Sequence, residues 1–455
     1  MERNMLSDLL DWVNSPFRKP LVVYGARQTG KTTLIRDIFA RTYFPDNTIY
    51  VDLNLERKIR ARLLDTVNPK EIIEYLEFLF ERKIDENTLL IFDEAQECLS
   101  IITSLKYFAQ DYPNIPVIVT GSMVRIKILR EEKNAHKAGK TGFFFPVGAI
   151  DELTLYPMTF DEYLKNVNKS LYDQIVNAYN NRTTLKDYVH EKALDELYKY
   201  LLVGGMPEAL AVYISSNSAL EARKRQKALF DNYLNDMNLY QASGESIVRS
   251  RTVYQNIYNQ LNKDSKNFRA SLLKDKAKTR DYISALDWLE EARIVYKSVK
   301  VKETVSYPLL AADDYNFRLY LSDVGFFTAQ SGVSMTSFID SKSGNTLSGI
   351  FFENYVADEL KAKGNDLFYW RGKSDAEFEF LCQCDGNIYP LDVKKGKGVL
   401  NSIEKYKYHN SLGYAIKVSK NQFGIDKERK IVTIPLYSVF MFAREMASNS
   451  FRIQL

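Results

Sequence analysis

Short runs of consecutive apolar residues near the start of the chain predict buried strands. The runs are "LVVY" at 21–24, "LLIF" at 89–92 and "VIV" at 117–119, and a polar residue or glycine follows each one. Strands that are apolar on both faces are typical of the centre of a parallel sheet covered by helices. After the first run, Leu34, Ile35 and Ile38 recur at helical spacing. This part of the chain is therefore predicted to be an α/β domain.

Later in the chain, alternating apolar and polar residues predict two hairpins. The stretch 246–312 has the pattern of three helices and a β-hairpin, in which "RIVYKSVKV" alternates like a strand. The second hairpin turns at Asp385-Gly386, a favoured two-residue turn.

The register of the second hairpin follows from its two-residue turn. Glu379 is then opposite Asp392, and Glu377 is opposite Lys394. Because side chains alternate along a strand, these four residues share one face of the hairpin. The other face is predicted to lie on the core, and it carries Phe378, Phe380, Leu391 and Val393.

The loop after the first predicted strand has the spacing G-x-x-x-x-G-K-[ST]. Its glycines allow backbone N–H groups to surround a phosphate at the N-terminus of the following helix. Lys31 supplies a positive charge to the β- and γ-phosphates of a nucleotide, and the Thr32 hydroxyl binds Mg²⁺. The predicted nucleotide-binding residues of this loop are Gly25, Ala26, Arg27, Gln28, Thr29, Gly30, Lys31, Thr32 and Thr33.

Acidic residues end the second predicted strand. Asp93 and Glu94 follow "LLIF" directly, so they are expected to face the phosphate site from the carboxyl end of the sheet. Asp93 is predicted to support the Mg²⁺ ion, and Glu94 to polarise the attacking water. Thr120 and Ser122 end the third strand and are predicted to contact the γ-phosphate or the water, although such residues also cap turns.

Composition and length limit the possible classes of protein. With 455 residues, the chain is expected to form two to four domains, and 45% hydrophobic and 26% charged residues are ordinary for a globular protein. The formal net charge of +4 gives no argument for nucleic acid by itself. The 3 cysteines form no CxxC pair, which argues against a zinc site or a disulfide framework. Without a signal peptide or a membrane-spanning run, a cytoplasmic protein that binds no membrane is expected.

The motifs together resemble the AAA-type P-loop ATPases. They are more similar still to an uncharacterised prokaryotic family with a C-terminal domain of unknown function, the 4143 type. No guanine-reading motif is found, and this favours adenine, so ATP and Mg²⁺ are the expected cofactors. This family usually has Gly-Arg after "PV", where this chain has Gly148-Ala149, and Arg125 and Arg130 are only loose substitutes for that arginine. The resemblance rests on the segments "GARQTGKTTLI", "LLIFDEAQ", "VIVTGS", "FPVGAIDELTLYPMTFDEYL" and "YLLVGGMPEAL".

The resemblance implies an α/β architecture of four parts. A P-loop parallel-sheet core is expected at 1–158, a helical lid at 159–245, a winged helix at 246–312 and a restriction-endonuclease-like domain at 313–455. Within the lid, Gly204 and Gly205 are interpreted either as a hinge near the nucleotide or as a helix end before a new helix at Pro207.

Basic residues are concentrated in the predicted winged helix. Residues 263–302 contain 11 Lys and Arg against 6 Asp and Glu, an excess of 11 − 6 = +5. Lys274, Lys276, Lys278 and Arg280 lie where phosphate contacts of a recognition helix are made. DNA and a protein partner are both compatible with this pattern, and the oligomeric state is open.

The C-terminal hairpin resembles the PD-(D/E)xK nuclease fold. Opposed carboxylates at Glu379 and Asp392 repel each other, and a divalent cation would relieve the repulsion. The resemblance implies that Glu353, Glu379 and Asp392 hold Mg²⁺ and that Lys394 positions the hydrolytic water. This chain has Glu379 where the fold usually has aspartate. The alternative is a solvated face on which Glu377 and Lys394 only neutralise each other.

Two functions of different classes follow from these patterns. The favoured hypothesis is an ATP-hydrolysing enzyme that acts on nucleic acid through the winged helix and the nuclease-like domain. The alternative is a nucleotide-controlled protein-interaction switch whose nuclease-like domain is catalytically inactive. The two hypotheses differ in whether DNA stimulates ATP hydrolysis.

Overall fold

The computed structural model describes residues 1–137, 145–241, 244–333, 349–372, 376–394, 402 and 412–453. The chain forms two compact units. Unit 1 consists of Met1–Tyr156 and Glu291–Arg293, and unit 2 of Pro157–Glu290 and Ile294–Leu455. The predicted division into four domains stays a prediction.

Unit 1 is built on a five-stranded sheet with the order β2-β3-β4-β1-β5, in which all paired strands are parallel. The strands are β1 (Leu21–Tyr24), β2 (Thr48–Asp52), β3 (Leu89–Asp93), β4 (Val117–Thr120) and β5 (Asp151–Thr154). The helices are α1 (Met5–Asn14), α2 (π-helical at Thr33–Ala40 and α-helical at Arg41–Tyr43), α3 (Arg57–Leu64), α4 (Pro69–Phe80), α5 (Leu99–Asp111) and α6 (Val124–Lys137), with a 3₁₀ turn at Ala95–Glu97.

The apolar runs form the centre of this sheet, as predicted. Every residue of β1, β3 and β4 is buried. Successive side chains of β1 enter opposite cores: Val22 packs in the core that includes α3, α4 and α5, whereas Val23 packs with α1 and α2. Two apolar layers therefore hold the sheet and fix the positions of the strand ends.

Unit 2 combines helices with a mixed sheet. Its strands are β6 (Val295–Lys300), β7 (Phe317–Leu321), β8 (Phe368–Arg371), β9 (Glu377–Cys384), β10 (Asn387–Lys394), β11 (Ala415–Ser419), β12 (Gly424–Asp426) and β13 (Ile431–Pro435). Its helices are α7 (Phe160–Val167), α8 (Lys169–Asn180), α9 (Asp187–Val203), α10 (Pro207–Ser216), α11 (Ala219–Tyr240), α12 (Gly244–Gln255), α13 (Ile257–Leu261), α14 (Ile283–Glu291), α15 (Val324–Gln330), α16 (Ile350–Ala362) and α17 (Val439–Ala447), with 3₁₀ turns at Ala270–Leu272, Thr279–Tyr282 and Leu436–Ser438.

One sheet joins segments that the sequence assigned to separate domains. Its order is β12-β13-β11-β10-β9-β8-β6-β7. Strand β6, predicted as part of a winged-helix hairpin, pairs antiparallel with β7 and parallel with β8. The predicted hairpin strand thus belongs to the same sheet as the strands of the predicted nuclease-like segment.

The glycine pair in "VGGMPEA" marks the end of one helix and the start of the next. Gly204 caps α9 with a φ of 72°, and Pro207 is the first residue of α10. Gly205 packs so closely that a Cβ atom there would lie 1.9 Å from the carbonyl oxygen of Met158. This geometry supports the interpretation as a helix end and a proline start.

The register predicted for the second hairpin is confirmed. Asn387 pairs with Cys384 and Leu391 with Phe380, as a two-residue loop requires. Asp385 and Gly386 both have positive φ, 48° and 77°, the combination that favours Gly in this turn. The face with Phe378 is buried in the core, also as predicted.

Candidate functional site

The loop after β1 has a backbone shape that requires glycine. Gly25 has a φ of 151°, and a Cβ atom there would lie 2.3 Å from the carbonyl oxygen of Leu155. Gln28 and Gly30 also have positive φ, 64° and 91°. The loop leads directly into a helix, whose first N–H groups have no partner within the helix. It therefore forms a concave ring of backbone donors suited to an anion.

Lys31 lies against this loop. Its Nζ donates hydrogen bonds to the carbonyl oxygens of Gly25 and Ala26, both at 2.9 Å. Burial lowers the pKa of Lys31 to about 8, although the nearby Glu94 and Asp93 favour the charged form. The protein itself thus desolvates the Lys31 ammonium.

Thr32 and Asp93 meet at the end of β3. The Thr32 hydroxyl donates to Asp93 Oδ2 at 2.6 Å, and the Tyr50 hydroxyl donates to the same oxygen at 3.0 Å. Asp93 is 2% exposed. The parallel order places β3 and the loop after β1 at the same edge of the sheet, and this brings the hydroxyl and the carboxylate together.

Glu94 follows in a left-handed conformation, with a φ of 53°. Its backbone N–H donates to Asp93 Oδ1 at 2.9 Å. Burial raises the pKa of the Glu94 carboxyl group above its ordinary value. The amide group of Gln96 donates to Glu94 Oε2 and so fixes the orientation of the carboxylate.

The end of β4 supplies two hydroxyl groups. Thr120 is fully buried, and its Oγ1 has no hydrogen-bond partner among the described residues. Ser122 is 9% exposed. Between them, Gly121 allows Gln96 to approach: a Cβ atom on this glycine would lie 2.2 Å from Gln96 Oε1. The strand ends of β3 and β4 are therefore in contact.

Three residues of this site were missed by the sequence analysis. Arg3 donates to the carbonyl oxygens of Thr29 and Tyr156, at 2.9 and 2.6 Å, and so fastens the loop. Tyr50 and Gln96 contact the two acids as described above. Since single polar residues outside a motif carry no spacing signal, only the "Q" within "FDEAQ" was close enough to the motif to be found.

The arrangement fits a nucleotide with Mg²⁺. At Gly25 there is no space for a side chain, so only backbone groups can surround a phosphate there. The Thr32 hydroxyl and the Asp93 carboxylate offer the oxygen ligands that Mg²⁺ prefers. The unpartnered Thr120 hydroxyl is a further buried polar group available to a ligand. Thr32 and Asp93 would hold the ion, and the loop with Lys31 would hold the phosphates.

A second cluster of charged residues lies in unit 2, on the hairpin of β9 and β10 and on α16. It contains four acids, Glu353, Glu377, Glu379 and Asp392, here called the carboxylate cluster. Three of them contact Lys266: its Nζ lies 2.5 Å from Glu353, 3.2 Å from Glu379 and 3.7 Å from Glu377. Burial disfavours the charge of Lys266, but Glu353 and Glu379 outweigh it and raise its pKa.

The alternative interpretation, in which Glu377 and Lys394 neutralise each other, is not supported by the ion pairs. Glu377 binds the buried Arg318 instead, with Nη2 2.7 Å from Oε1, and Lys394 binds Asp392 at 2.8 Å. Burial and the adjacent Glu379 raise the pKa of Asp392. Arg318 is remote from Glu377 in sequence but lies next to it in the fold. Because the Arg318 side chain is completely buried, water does not compete with Glu377 for its guanidinium group, and Arg318 is a stronger partner than Lys394.

The metal-binding role predicted for the carboxylate cluster stays a prediction. Within the described ranges, no group of three or more His, Cys, Asp or Glu residues is arranged to hold a metal ion. Glu353 and Glu379 are brought together as predicted, but both bind Lys266.

The fold and the first site define the class of unit 1. A parallel sheet with a glycine loop and lysine after one strand, and an acidic end on a nearby strand, is a P-loop NTPase domain.

Comparison with known proteins shows which family models match parts of the chain. Residues 17–164 match the family model of an AAA domain. Residues 194–337 and 348–437 match two domains of unknown function, DUF8612 and DUF4143. The chain therefore contains an AAA domain of the P-loop type and a DUF4143 domain, as the sequence resemblance predicted.

Other comparisons add little. No curated protein matches the chain. Among solved structures, the Walker-type ATPase PABY2304 of Pyrococcus abyssi is 17% identical; the match covers 72% of this chain and 95% of that one, with a TM-score of 0.42. This likeness is too low to carry over a function. In the described part of the chain, no helix has the length and apolar character needed to cross a membrane.

Proposed function

We propose that unit 1 binds ATP with Mg²⁺ and hydrolyses it. The observation that carries this proposal is the 2.6 Å contact between the Thr32 hydroxyl and Asp93, beside the buried Lys31. It joins the predicted phosphate loop and the predicted acidic strand end in one site. Mg²⁺, when bound, neutralises phosphate charge that develops during transfer.

The residues around the loop at 25–33 have different roles in the proposed reaction. The loop amides and Lys31 hold the phosphates, and Thr32 and Asp93 hold the ion. Glu94 accepts a proton from the attacking water, and its raised pKa makes it a stronger base. Gln96 orients Glu94 through its hydrogen bond. The buried Thr120 hydroxyl, which has no partner among the described residues, would contact the water or the γ-phosphate.

Phosphate release and nucleotide binding test this proposal. Lys31→Ala should abolish ATP binding, because it removes the cation from a buried phosphate site. Lys70→Ala is a matched control, since Lys70 is exposed on α4 and 69% of its side-chain surface is accessible. Normal ATP affinity in Lys31→Ala, or equal losses in both variants, would contradict the assignment.

A second candidate function is action on nucleic acid. The turn that includes Lys274, Lys276, Lys278 and Arg280 is exposed to solvent. Four cations within seven residues can contact successive phosphates. The local excess of charge is smaller at the surface than the sequence indicates, because Lys266 is turned inward to the carboxylate cluster.

ATP turnover with and without DNA distinguishes this candidate from a protein-interaction switch. DNA should stimulate hydrolysis, and the stimulation should fall steeply as salt is raised. A triple variant, Lys274→Ala with Lys276→Ala and Lys278→Ala, should lose the stimulation and keep basal turnover. If DNA has no effect on the wild type at low salt, the interaction switch is the better hypothesis.

A further inference from the structure

The carboxylate cluster already contains a cation supplied by the chain. Lys266 Nζ lies within 3.7 Å of Glu353, Glu377 and Glu379, so one ammonium contacts three carboxylates. An ammonium group has three donors. The Tyr320 hydroxyl donates to Glu353 at 2.7 Å and occupies the other oxygen of that carboxylate.

The backbone at Lys266 is held in an uncommon conformation. Its φ is 49°, in the left-handed region that is unfavourable for residues other than glycine. Such strain persists only where the surroundings over-determine it, and it concentrates at functional sites. Here the backbone N–H of Lys266 donates to Lys263 at 3.0 Å, and only 19% of the Lys266 side chain is exposed. The turn is shaped to direct the ammonium inward.

The acids of the carboxylate cluster also form ion pairs with basic residues other than Lys266. Arg318 is fully buried, contacts Glu377 at 2.7 Å and Glu353 at 3.4 Å, and stacks on the ring of Tyr369 at 4.1 Å. Lys394 contacts Asp392. Arg371 lies 3.9 Å from Glu377. Among the described residues, four cations therefore face the four acids.

We propose that Lys266 is the resident cation of the carboxylate cluster and that it excludes divalent metal ions from it. Its ammonium binds the same carboxylates, Glu353 and Glu379, that a hydrolytic metal ion would need. A second cation at those oxygens would be repelled by Lys266 and would have to displace it. The nuclease-like sheet of this chain is accordingly a metal-free site, and removal of Lys266 creates a metal site.

Binding of Mn²⁺ to the full-length, nucleotide-free protein tests this proposal. Electron paramagnetic resonance measures free Mn²⁺ during a titration. Wild type should bind no ion at the carboxylate cluster, whereas Lys266→Ala should gain one site with affinity at least tenfold above any binding by wild type. Adding Glu379→Gln to Lys266→Ala should remove the new site and so locate it. Lys266→Arg keeps a cation and should bind no more Mn²⁺ than wild type.

Two results would overturn the proposal. One is Mn²⁺ binding by wild type that Glu379→Gln abolishes, because the ion would then share the cluster with Lys266. The other is a folded Lys266→Ala protein that gains no site. If Lys266→Ala is unfolded, Mn²⁺ should restore its folding, and Lys266→Gln provides a milder variant for the same titration; the wild-type titration remains decisive in either case. Since no nucleotide is present, these results do not depend on the ATPase activity proposed for unit 1.

Discussion

The affinity of this protein for ATP should fall about tenfold between pH 7 and pH 9, because Lys31 must be protonated to bind phosphate. Burial brings the pKa of Lys31 to about 8 in the nucleotide-free protein. The charged fraction is then about nine-tenths at pH 7 and about one-tenth at pH 9. Apparent affinity scales with the fraction of the competent form, which gives the tenfold change, or about 1.4 kcal/mol.

The sign follows from the two states of Lys31. Phosphates at hydrogen-bond distance raise its pKa, so the bound form stays protonated where the free form does not. Binding near pH 8 should therefore take up about half a proton per nucleotide. The ordinary lysine value of 10.5 would place this change well above the tested range.

Isothermal titration calorimetry at pH 7, 8 and 9 measures both quantities. Titrations in two buffers with different ionisation enthalpies give the proton uptake. Glu94→Gln is the control for the other buried group nearby, and its affinity should still weaken with rising pH. A change of less than twofold from pH 7 to pH 9, or release of protons on binding, would refute the argument about Lys31.

The other predictions concern hydrolysis and stability. Glu94→Gln should bind ATP with near wild-type affinity but lose at least 100-fold in phosphate release, as general-base loss typically costs; full turnover would contradict its role. The pKa of Glu359, raised mainly by burial from 4.5 to about 8, means that it is protonated when folded at pH 7. Because the folded protein favours the protonated carboxyl group, the stabilisation that Glu359 gives should be fully present below about pH 4.5. The free energy of unfolding should then fall by about 3 kcal/mol as the pH rises to 7. Urea unfolding at pH 5 and 7 should show a smaller decline in Glu359→Gln than in wild type, because the buried Asp323 and Asp392, whose pKa values are also raised, keep part of it. An equal decline in the free energy of unfolding of the two proteins would contradict the role of Glu359. Gly205→Ala should destabilise unit 2 by about 3 kcal/mol, since its Cβ would lie 1.9 Å from the Met158 oxygen, whereas Gly424→Ala, which has open space, should not; equal melting temperatures of the two variants would count against this reason.

Local spacing in the sequence was sufficient to predict the shape of the loop at 25–33, the acidic end of β3 and the register of one hairpin. The loop at 25–33 forms from consecutive residues, and its glycines are needed by the backbone itself. Asp93 could be assigned because a fully apolar strand precedes it, and parallel strands end at one edge. The register of β9 with β10 followed from the two-residue turn at Asp385 and Gly386. In each case the structural requirement and the sequence pattern lie within a few residues of each other.

Contacts between distant segments were decided only by the tertiary structure. Lys266 reaches Glu353 across 87 positions of sequence, and Arg3 reaches Tyr156 across 153. Glu377 likewise pairs with Arg318, which is far from it in sequence, and not with Lys394 on the neighbouring strand. The partner of a charged residue is not marked by any periodicity in the sequence. From the sequence alone, any of the 62 basic residues could be the partner of Glu377. A buried charge without a partner strongly destabilises the folded state. The partner is therefore the basic residue that the packing of the backbone places next to the carboxylate.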